Sequence, residues 1–141
     1  MMLACAESCT GGLVCATLTR IPGSSEWFDS GYISYSNAAK VRMLGVNQDS
    51  LEKFGPVSEE VVCQMAQGVV RESHVQVGLA VSGFAGPGGG TPENPLGTVW
   101  FAWHLVNGET RSKVERIKGS RIEVQQRAVI IALHGLIDIL S

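Results

Sequence analysis

The sequence lacks the features that mark several large classes of protein. Its 141 residues include 11 basic and 13 acidic side chains, so no excess of positive charge is available to attract nucleic acid. The four cysteines form no C-x-x-C pair, and no histidine stands at a zinc-ligand spacing from them. We therefore expect no nucleic-acid partner, no metal site and no cofactor.

The sequence also has no long apolar run. Its longest apolar stretch, from Ala128 to Leu140, is interrupted by His134 and Asp138 and is shorter than the roughly 20 residues that span a membrane. The first residues lack the basic region and the apolar run of a signal peptide. These absences predict a soluble, cytoplasmic protein with reduced thiols and no membrane contact.

The chain has the length of a single domain with its own hydrophobic core. Its 17 glycines are more than the average frequency of roughly 7% would give, and they cluster around predicted turns. The sequence contains no internal repeat and no linker. We therefore expect one domain over residues 1–141, with loops in which the backbone closely approaches a ligand.

Hydrophobic patterns alternate between strand and helix periods along the chain. Asn107-Gly108 between two apolar segments is a strong hairpin signal, and Ser120 with Glu123 forms a capping box that starts the last helix. The patterns predict strands over 1–5, 28–35, 75–82, 96–106 and 109–117, and helices over 13–18, 38–44, 59–70 and 121–140.

These elements predict an α/β fold. Strands that alternate with helices pair in parallel, whereas the hairpin adds an antiparallel pair. We expect a three-layer α/β/α sandwich in which helices cover both faces of a mixed, mostly parallel sheet. In such sheets ligands bind beyond the carboxyl ends of the strands.

Three loops stand at predicted strand ends and cover residues 6–12, 35–40 and 82–87. In the first loop, Gly11 and Gly12 leave backbone N–H groups at a helix start open to a ligand oxygen. The loop matches neither the phosphate-binding G-x-x-x-x-G-K-[ST] motif nor the G-x-S-x-G nucleophile elbow. It is consistent with an oxyanion hole or with a phosphate cradle.

Ser8, in the first loop, is a candidate nucleophile. The three histidines of the chain lie outside all three loops, and a serine without a histidine can use a lysine that has lost its proton. Lys40 stands near a predicted helix start, where burial and the helix dipole lower the pKa of an amine. Tyr35 could hydrogen-bond either partner. Each of these residues, taken alone, is more often structural than catalytic.

Two neighbours of Ser8 leave alternatives open. Cys9 stands at a helix start that can lower the pKa of a thiol, but no histidine accompanies it, so it is the weaker nucleophile candidate. Glu7 either orients Lys40 or simply interacts with solvent at the turn.

Five segments together identify a known family. They are Ala6-Glu7-Ser8-Cys9-Thr10-Gly11-Gly12, Tyr35-Ser36-Asn37 with Lys40, Gly55-Pro56-Val57-Ser58-Glu59, Ser82-Gly83-Phe84-Ala85-Gly86-Pro87 and Pro95-Leu96-Gly97-Thr98-Val99-Trp100. In this order they resemble the CinA C-terminal domain family, the nicotinamide mononucleotide (NMN) deamidases, over essentially the whole chain. The resemblance implies hydrolysis of NMN to nicotinic acid mononucleotide and ammonia.

The resemblance also implies roles for individual residues. It makes Ser8 the nucleophile, with Lys40 and Tyr35 assisting, and it places Arg121 in the active site. Arg121 at a helix start suits a 5′-phosphate, although a surface arginine fits the same position. The expected substrate-binding residues are Cys9, Thr10, Gly11, Gly12, Asn37, Ser82, Gly83 and Arg121.

Two other functions stay open on the sequence alone. A catalytically silent mononucleotide-binding module would use the same glycine loops and Arg121, without an aligned Lys40 or Tyr35. A regulatory subunit would fold only with a partner. Release of ammonia from NMN distinguishes the amidase from both.

The sequence departs from the family pattern at its start. The family places a helix before the first strand, and its longer members carry a nucleotide-processing domain, whereas this sequence begins almost directly at that strand. We expect no second activity. Either the chain is shortened or another subunit covers a sheet face, and we expect a homodimer or larger homo-oligomer.

Overall fold

The computed structural model describes every residue from 1 to 141. Its strands are β1 (Leu3–Glu7), β2 (Phe28–Ile33), β3 (Val77–Gly83), β4 (Thr98–Leu105) and β5 (Thr110–Arg116). Its helices are α1 (Leu13–Thr19), α2 (Asn37–Leu44), α3 (Gln48–Phe54), α4 (Glu59–Ser73) and α5 (Arg121–Leu140), and a short 3₁₀ helix covers Ser24–Glu26.

The five strands form one mixed sheet, as the sequence predicts. β1 pairs in parallel with β2 and β3, whereas β4 runs antiparallel to β3 and β5. Only β4 is reversed, so the other strands all point the same way. The order β2-β1-β3-β4-β5 places the carboxyl ends of β1, β2 and β3 side by side at one end of the sheet.

Helices cover both faces of the sheet, which confirms the three-layer sandwich. α4 packs against β1, β3 and β4 on one face, and α1 and α5 pack on the other. Because side chains alternate along a strand, Cys5, Leu79 and Phe101 face α5, whereas Ala6 and Ala80 face α4. The small alanines allow α4 to lie close to the sheet.

Side-chain caps fix where the two long helices begin. The hydroxyl of Ser58 accepts a hydrogen bond from the backbone N–H of Val61 at the start of α4. Ser120 and Glu123 form the predicted capping box at the start of α5. The hairpin turn also forms where the sequence predicts it, because Gly108, with a φ angle of 107°, lies between β4 and β5.

One helix, α3, is absent from the sequence prediction. The side chain of Asn47 caps it by accepting hydrogen bonds from the N–H groups of Asp49 and Ser50. The helix has only seven residues and buries one of them, Leu51, so it shows no clear hydrophobic period. The asparagine cap is the signal that could have identified it.

The expectation of an uncovered sheet face is wrong, because α1 and α5 occupy that face. What stays open beside the start of β1 is a small apolar crevice of about 160 Å³. Its lining consists of Met1, Met2, Leu3, Trp27, Val77, Leu136 and Leu140. None of the helices combines the length and the apolar character that are needed to cross a bilayer.

β5 forms one edge of the sheet, and its side chains are largely charged. Arg111 pairs with Glu109 at 2.7 Å and Lys113 pairs with Glu115 at 3.2 Å. These side chains are half-exposed, so the ion pairs add little stability. The edge is therefore mostly charged, and Val114, which is 42% exposed, is its one apolar side chain.

Candidate active site

The parallel pairing of β1 and β2 brings the first two loops together. Glu7 pairs with Ile33 at the ends of these strands, so Ser8 and Ser34 follow side by side. The pairing continues for one more residue through a 2.9 Å hydrogen bond from the N–H of Ser34 to the carbonyl of Glu7. This position is the carboxyl end of the sheet, where ligands bind in open α/β folds.

Helix α2 then directs a lysine back to the end of β1. The hydroxyl of Ser36 caps the helix by accepting a hydrogen bond from the N–H of Ala39 at 3.0 Å. Lys40 lies in the first turn of this helix and is buried. Its side chain runs toward Ser8, so the predicted pairing of these two residues is present in the structure.

The amine of Lys40 makes three hydrogen bonds. Its Nζ lies 3.1 Å from the Oγ of Ser8, 3.0 Å from the carbonyl oxygen of Ser34 and 3.0 Å from the carbonyl oxygen of Tyr35. Lys40 is only 1% exposed and Ser8 only 7%. The amine is therefore held on all sides by fixed acceptors within the protein.

Burial changes the protonation of this amine. It lowers the pKa of Lys40 from 10.5 to about 8, opposed by the charge of the Cys9 thiol when that group ionises. No carboxylate lies within ion-pairing distance of the amine. About a tenth of the amine is thus neutral at pH 7, and this fraction, which can accept a proton, rises with pH.

The turn after Ser8 presents backbone N–H groups. Gly11 and Gly12 have φ angles of 56° and 105°, a left-handed conformation that favours glycine. The N–H of Gly11 is already used by the carbonyl of Ser8 at 3.1 Å. Those of Cys9, Thr10 and Gly12 donate to no other residue of the protein.

Glu7 has a role that the sequence analysis missed. Its carboxylate accepts hydrogen bonds from the hydroxyl of Thr10 at 2.6 Å and from the N–H groups of Val14 and Cys15 at 2.9 and 3.0 Å. It therefore caps α1, because Gly12, at the N-cap position before the helix, has no side chain for this purpose. Glu7 neither orients Lys40 nor interacts with solvent, which are the two roles that the sequence left open.

The thiol of Cys9 is not suited to be the nucleophile. Burial, together with the nearby negative charge of Glu7, raises its pKa to about 12. The thiol is consequently protonated at neutral pH. The carbonyl of Cys9 accepts a 2.9 Å hydrogen bond from Gln125 of α5, so this residue helps to connect the turn to the last helix.

Tyr35 contacts Lys40 through its backbone carbonyl, whereas the sequence predicted a contact of its phenol with Ser8 or Lys40. Its carbonyl contacts Lys40, but its phenol accepts a 2.9 Å hydrogen bond from the guanidinium of Arg121. Arg121 also donates to the carbonyl of Gly86 at 2.7 Å. The phenol thus lies with Arg121 and not with Ser8, and the guanidinium joins two loops, those of Tyr35 and Gly86, to the start of α5.

The other predicted binding residues take different positions. The hydroxyl of Ser82 is buried and donates to the carbonyl of Pro56 at 2.9 Å. A side chain at Gly83 would collide with Val99, so packing explains this glycine. Asn37 is exposed at the start of α2, and its side chain contacts no other residue by a hydrogen bond.

The chain is similar to known proteins over nearly its whole length. The model of the CinA C-terminal domain family matches residues 1–140. The nicotinamide-nucleotide amidohydrolase PncC of Enterobacter agglomerans is 47% identical over 130 residues, which cover 92% of this chain and 79% of that protein. The PncC of Escherichia coli K12 is 45% identical over 131 residues, which cover 93% and 79%.

A solved structure agrees with the fold in detail. The competence/damage inducible protein CihA from Agrobacterium tumefaciens superposes with a TM-score of 0.97 at 42% sequence identity, covering 100% of this chain and 86% of that one. The family model, the similar sequences and the similar structure all cover nearly the whole chain. The chain therefore belongs to the CinA C-terminal domain family.

Proposed function

We propose that this chain hydrolyses the carboxamide of NMN, giving nicotinic acid mononucleotide and ammonia. The relatives named nicotinamide-nucleotide amidohydrolase support the substrate. The 3.1 Å contact between Ser8 and Lys40 supports the reaction class, and it is the observation that carries the proposal. A serine hydroxyl beside a buried amine of lowered pKa is the arrangement of a nucleophile with its base.

The three partners of Lys40 fit a neutral amine as well as an ammonium. A neutral amine has two N–H donors and one lone pair, and the carbonyls of Ser34 and Tyr35 can only accept. The lone pair is then directed at the hydroxyl of Ser8, which can donate. Loss of one proton from Lys40 therefore reverses the hydrogen bond and prepares the hydroxyl proton for transfer.

In the first chemical step, the Oγ of Ser8 bonds to the carboxamide carbon while its proton passes to Nζ of Lys40. The carbonyl π bond opens, and the resulting oxyanion accepts hydrogen bonds from the backbone of the turn, with Cys9, Thr10 and Gly12 as candidate donors. Such donors stabilise the charge that develops in the transition state, which is where binding accelerates the reaction.

In the second step, the ammonium of Lys40 returns the proton to the amide nitrogen. The carbon–nitrogen bond breaks, ammonia leaves and Ser8 carries the acyl group as an ester. Water then attacks the ester carbon with Lys40 again taking the proton, and Ser8 recovers its hydrogen as the acid departs. The net reaction consumes one water for each amide.

Arg121 is the proposed contact for the 5′-phosphate of NMN. Two of its five N–H donors go to Gly86 and Tyr35, so three remain for a phosphate oxygen. The start of α1 is a poor alternative site, because the carboxylate of Glu7 already occupies it. The phosphate cradle considered for the first loop is therefore less favoured than an oxyanion hole.

Ammonia release tests the function directly. The purified chain is incubated with NMN, nicotinamide riboside or nicotinamide, and ammonia is measured against a Ser8→Ala control. The proposal requires release from NMN that depends on Ser8. If the protein binds NMN without releasing ammonia, it is the silent binding module. If ammonia is released from nicotinamide alone, the protein does not recognise the phosphate of its substrate.

The proposal includes a homo-oligomer in the cytoplasm. The exposed side of α5 carries Ile122, Ile130 and Ile137, which are 65%, 47% and 63% exposed. Apolar side chains at this spacing on one helix support association, because a monomer rarely leaves such a stripe in water. All four cysteines are free thiols, which is consistent with a reducing compartment.

A further inference from the structure

We propose that Glu7 is a positioning residue for catalysis, because its carboxylate holds the turn that carries Ser8 and the candidate oxyanion donors in a single conformation. The inference rests on the proposed hydrolase function and extends it to a residue that does not touch the substrate. Glu7 is 0% exposed, so it can act only through its neighbours.

The carboxylate of Glu7 is a buried anion without a cation. Its hydrogen bonds come from Thr10, Val14 and Cys15, and no lysine or arginine pairs with it. Burying a charge is costly unless hydrogen bonds compensate for the lost water. The three bonds use both oxygens, so the position of the carboxylate fixes the start of α1 relative to the end of β1.

Other contacts also restrain the turn between these two elements, because Cys9 is buried in the hydrophobic core and its carbonyl accepts the hydrogen bond of Gln125. A side chain built at Gly11 would meet no atom within 4 Å, and the first helical turn of α1 has no side-chain cap from Gly12. The hydroxyl of Thr10 is buried and is bound to Glu7. Glu7 therefore joins Thr10 to the start of α1, and it acts together with the Gln125 contact on the direction of the amides of Cys9 and Thr10.

The backbone of Glu7 restrains the other half of the site. Its carbonyl accepts the N–H of Ser34 at 2.9 Å, and the carbonyl of Ser34 in turn accepts the amine of Lys40 at 3.0 Å. One residue thus connects the turn of the nucleophile with the strand end that holds the base. A small rotation of the turn would change the distance between these groups and the substrate carbon.

The central test is Glu7→Gln with Asn47→Ala as its matched control. Glutamine keeps the size and shape of the side chain, but its NH₂ group replaces one carboxylate oxygen. That NH₂ group must then face either the N–H of Cys15 or the donors of Thr10 and Val14, so that two hydrogen-bond donors oppose each other. Asn47 likewise accepts two backbone N–H groups, at the start of the equally short α3. Its loss lowers stability by a similar mechanism away from Ser8.

The expected result is a split between kcat and KM. Glu7→Gln should lower kcat for NMN by about 100-fold, the scale of losing one oxyanion donor, with KM changed by less than about threefold. Asn47→Ala should lower Tm and leave kcat unchanged. Both variants are measured well below their Tm. Equal kcat values for the two variants and the wild type would overturn the proposal.

A second pair of variants covers a failure of Glu7→Gln to fold. Thr10→Val removes one donor to the carboxylate, whereas Thr10→Ser keeps it. We expect kcat of the valine variant to be clearly lower than kcat of the serine variant, because only the serine keeps the hydrogen bond to the carboxylate. If both variants were equally active, the link through the Thr10 hydroxyl would be refuted.

Labelling of Ser8 by a fluorophosphonate separates this inference from the proposed substrate. Intact-mass measurement gives the labelling rate without NMN. If the wild type does not hydrolyse NMN but labels faster than the Glu7 and Thr10→Val variants, the substrate is wrong and the positioning role holds. If these variants label as fast as the wild type, or the wild type does not label at all, the positioning role is rejected.

Discussion

The guanidinium of Arg121 donates a 2.9 Å hydrogen bond to the phenol of Tyr35 across 86 positions of sequence. This contact joins the start of the last helix to the loop between β2 and α2. The carbonyl of the same tyrosine accepts the amine of Lys40. Tyr35 therefore makes two separable contacts, one through its backbone with the proposed base and one through its side chain with the proposed phosphate contact.

Tyr35→Phe tests this separation. The substitution removes the phenol but keeps the carbonyl, so we expect kcat and its apparent pKa to change little and KM for NMN to rise. Steady-state rates between pH 6 and 10 provide the measurement. A large loss of kcat or a displaced pH profile would instead place the phenol in proton transfer.

Arg121→Ala should weaken the binding of NMN more than that of nicotinamide riboside. A charge-assisted contact to a phosphate has no counterpart in the riboside, so we expect a loss of about 1.5–3 kcal/mol for NMN alone. Calorimetric titration of the Ser8→Ala background gives both affinities without turnover. Arg127→Ala, on the same helix, is the control, and equal losses for both ligands would assign Arg121 to the fold.

Ser8→Ala should abolish hydrolysis and preserve the fold. The side chain makes only a 3.1 Å and a 3.5 Å contact, so little packing is lost, whereas loss of a covalent nucleophile costs about a thousandfold or more in kcat. Ser30→Ala removes a hydroxyl from β2 as a control. Activity of the Ser8 variant above about a tenth of wild type would exclude covalent catalysis by this residue.

The rate should follow the ionisation of Lys40. With the pKa of Lys40 at about 8, kcat/KM should rise with pH through that value, because only the neutral amine accepts the proton of Ser8. Lys40→Arg keeps the charge but cannot deprotonate, so it should be nearly inactive. Lys53→Arg provides a surface control. An active Lys40→Arg enzyme would refute the serine–lysine mechanism.

Folding stability should depend on pH through the same group. The pKa of Lys40 is lower in the folded chain, at about 8, than the ordinary 10.5, so the unfolded chain binds an extra proton between these values. Stability therefore rises with pH in this window. Relative to Lys40→Met, the wild type should gain about 2 kcal/mol between pH 7 and pH 10.

Urea unfolding of both proteins at the two pH values measures this difference. Lys53→Met, which replaces an exposed lysine beside Phe54, should show no such dependence. A constant difference between the wild type and Lys40→Met would mean that the buried amine titrates as it does in the unfolded chain.

Local patterns predict much of this fold and less of the site. The hairpin at Gly108 and the capping box at Ser120 follow from neighbouring residues, so the sequence reveals them. The approach of Lys40 to Ser8 depends on the register that pairs β1 with β2. The spacing of residues in the sequence does not predict that register. The expectation that Ser8 and Lys40 act together rested on the resemblance to a family.

Glu7 and Tyr35 show a second limit of the sequence. Which of several donors a carboxylate takes depends on where a buried side chain points, and Glu7 turns toward α1 instead of Lys40. The orientation of the Tyr35 phenol depends on its hydrogen bond with Arg121, which lies far along the chain. Both outcomes are decided by tertiary packing and not by local propensity.

The charged edge strand β5 has a consequence for how this protein behaves at high concentration. A strand edge offers free N–H and C=O groups to any other chain, and such edges seed intermolecular sheets. Lys113 lies in the middle of β5, with Arg111 and Glu115 on either side. A pairing chain would have to remove water from these charges, so this edge of the sheet resists amyloid-like stacking.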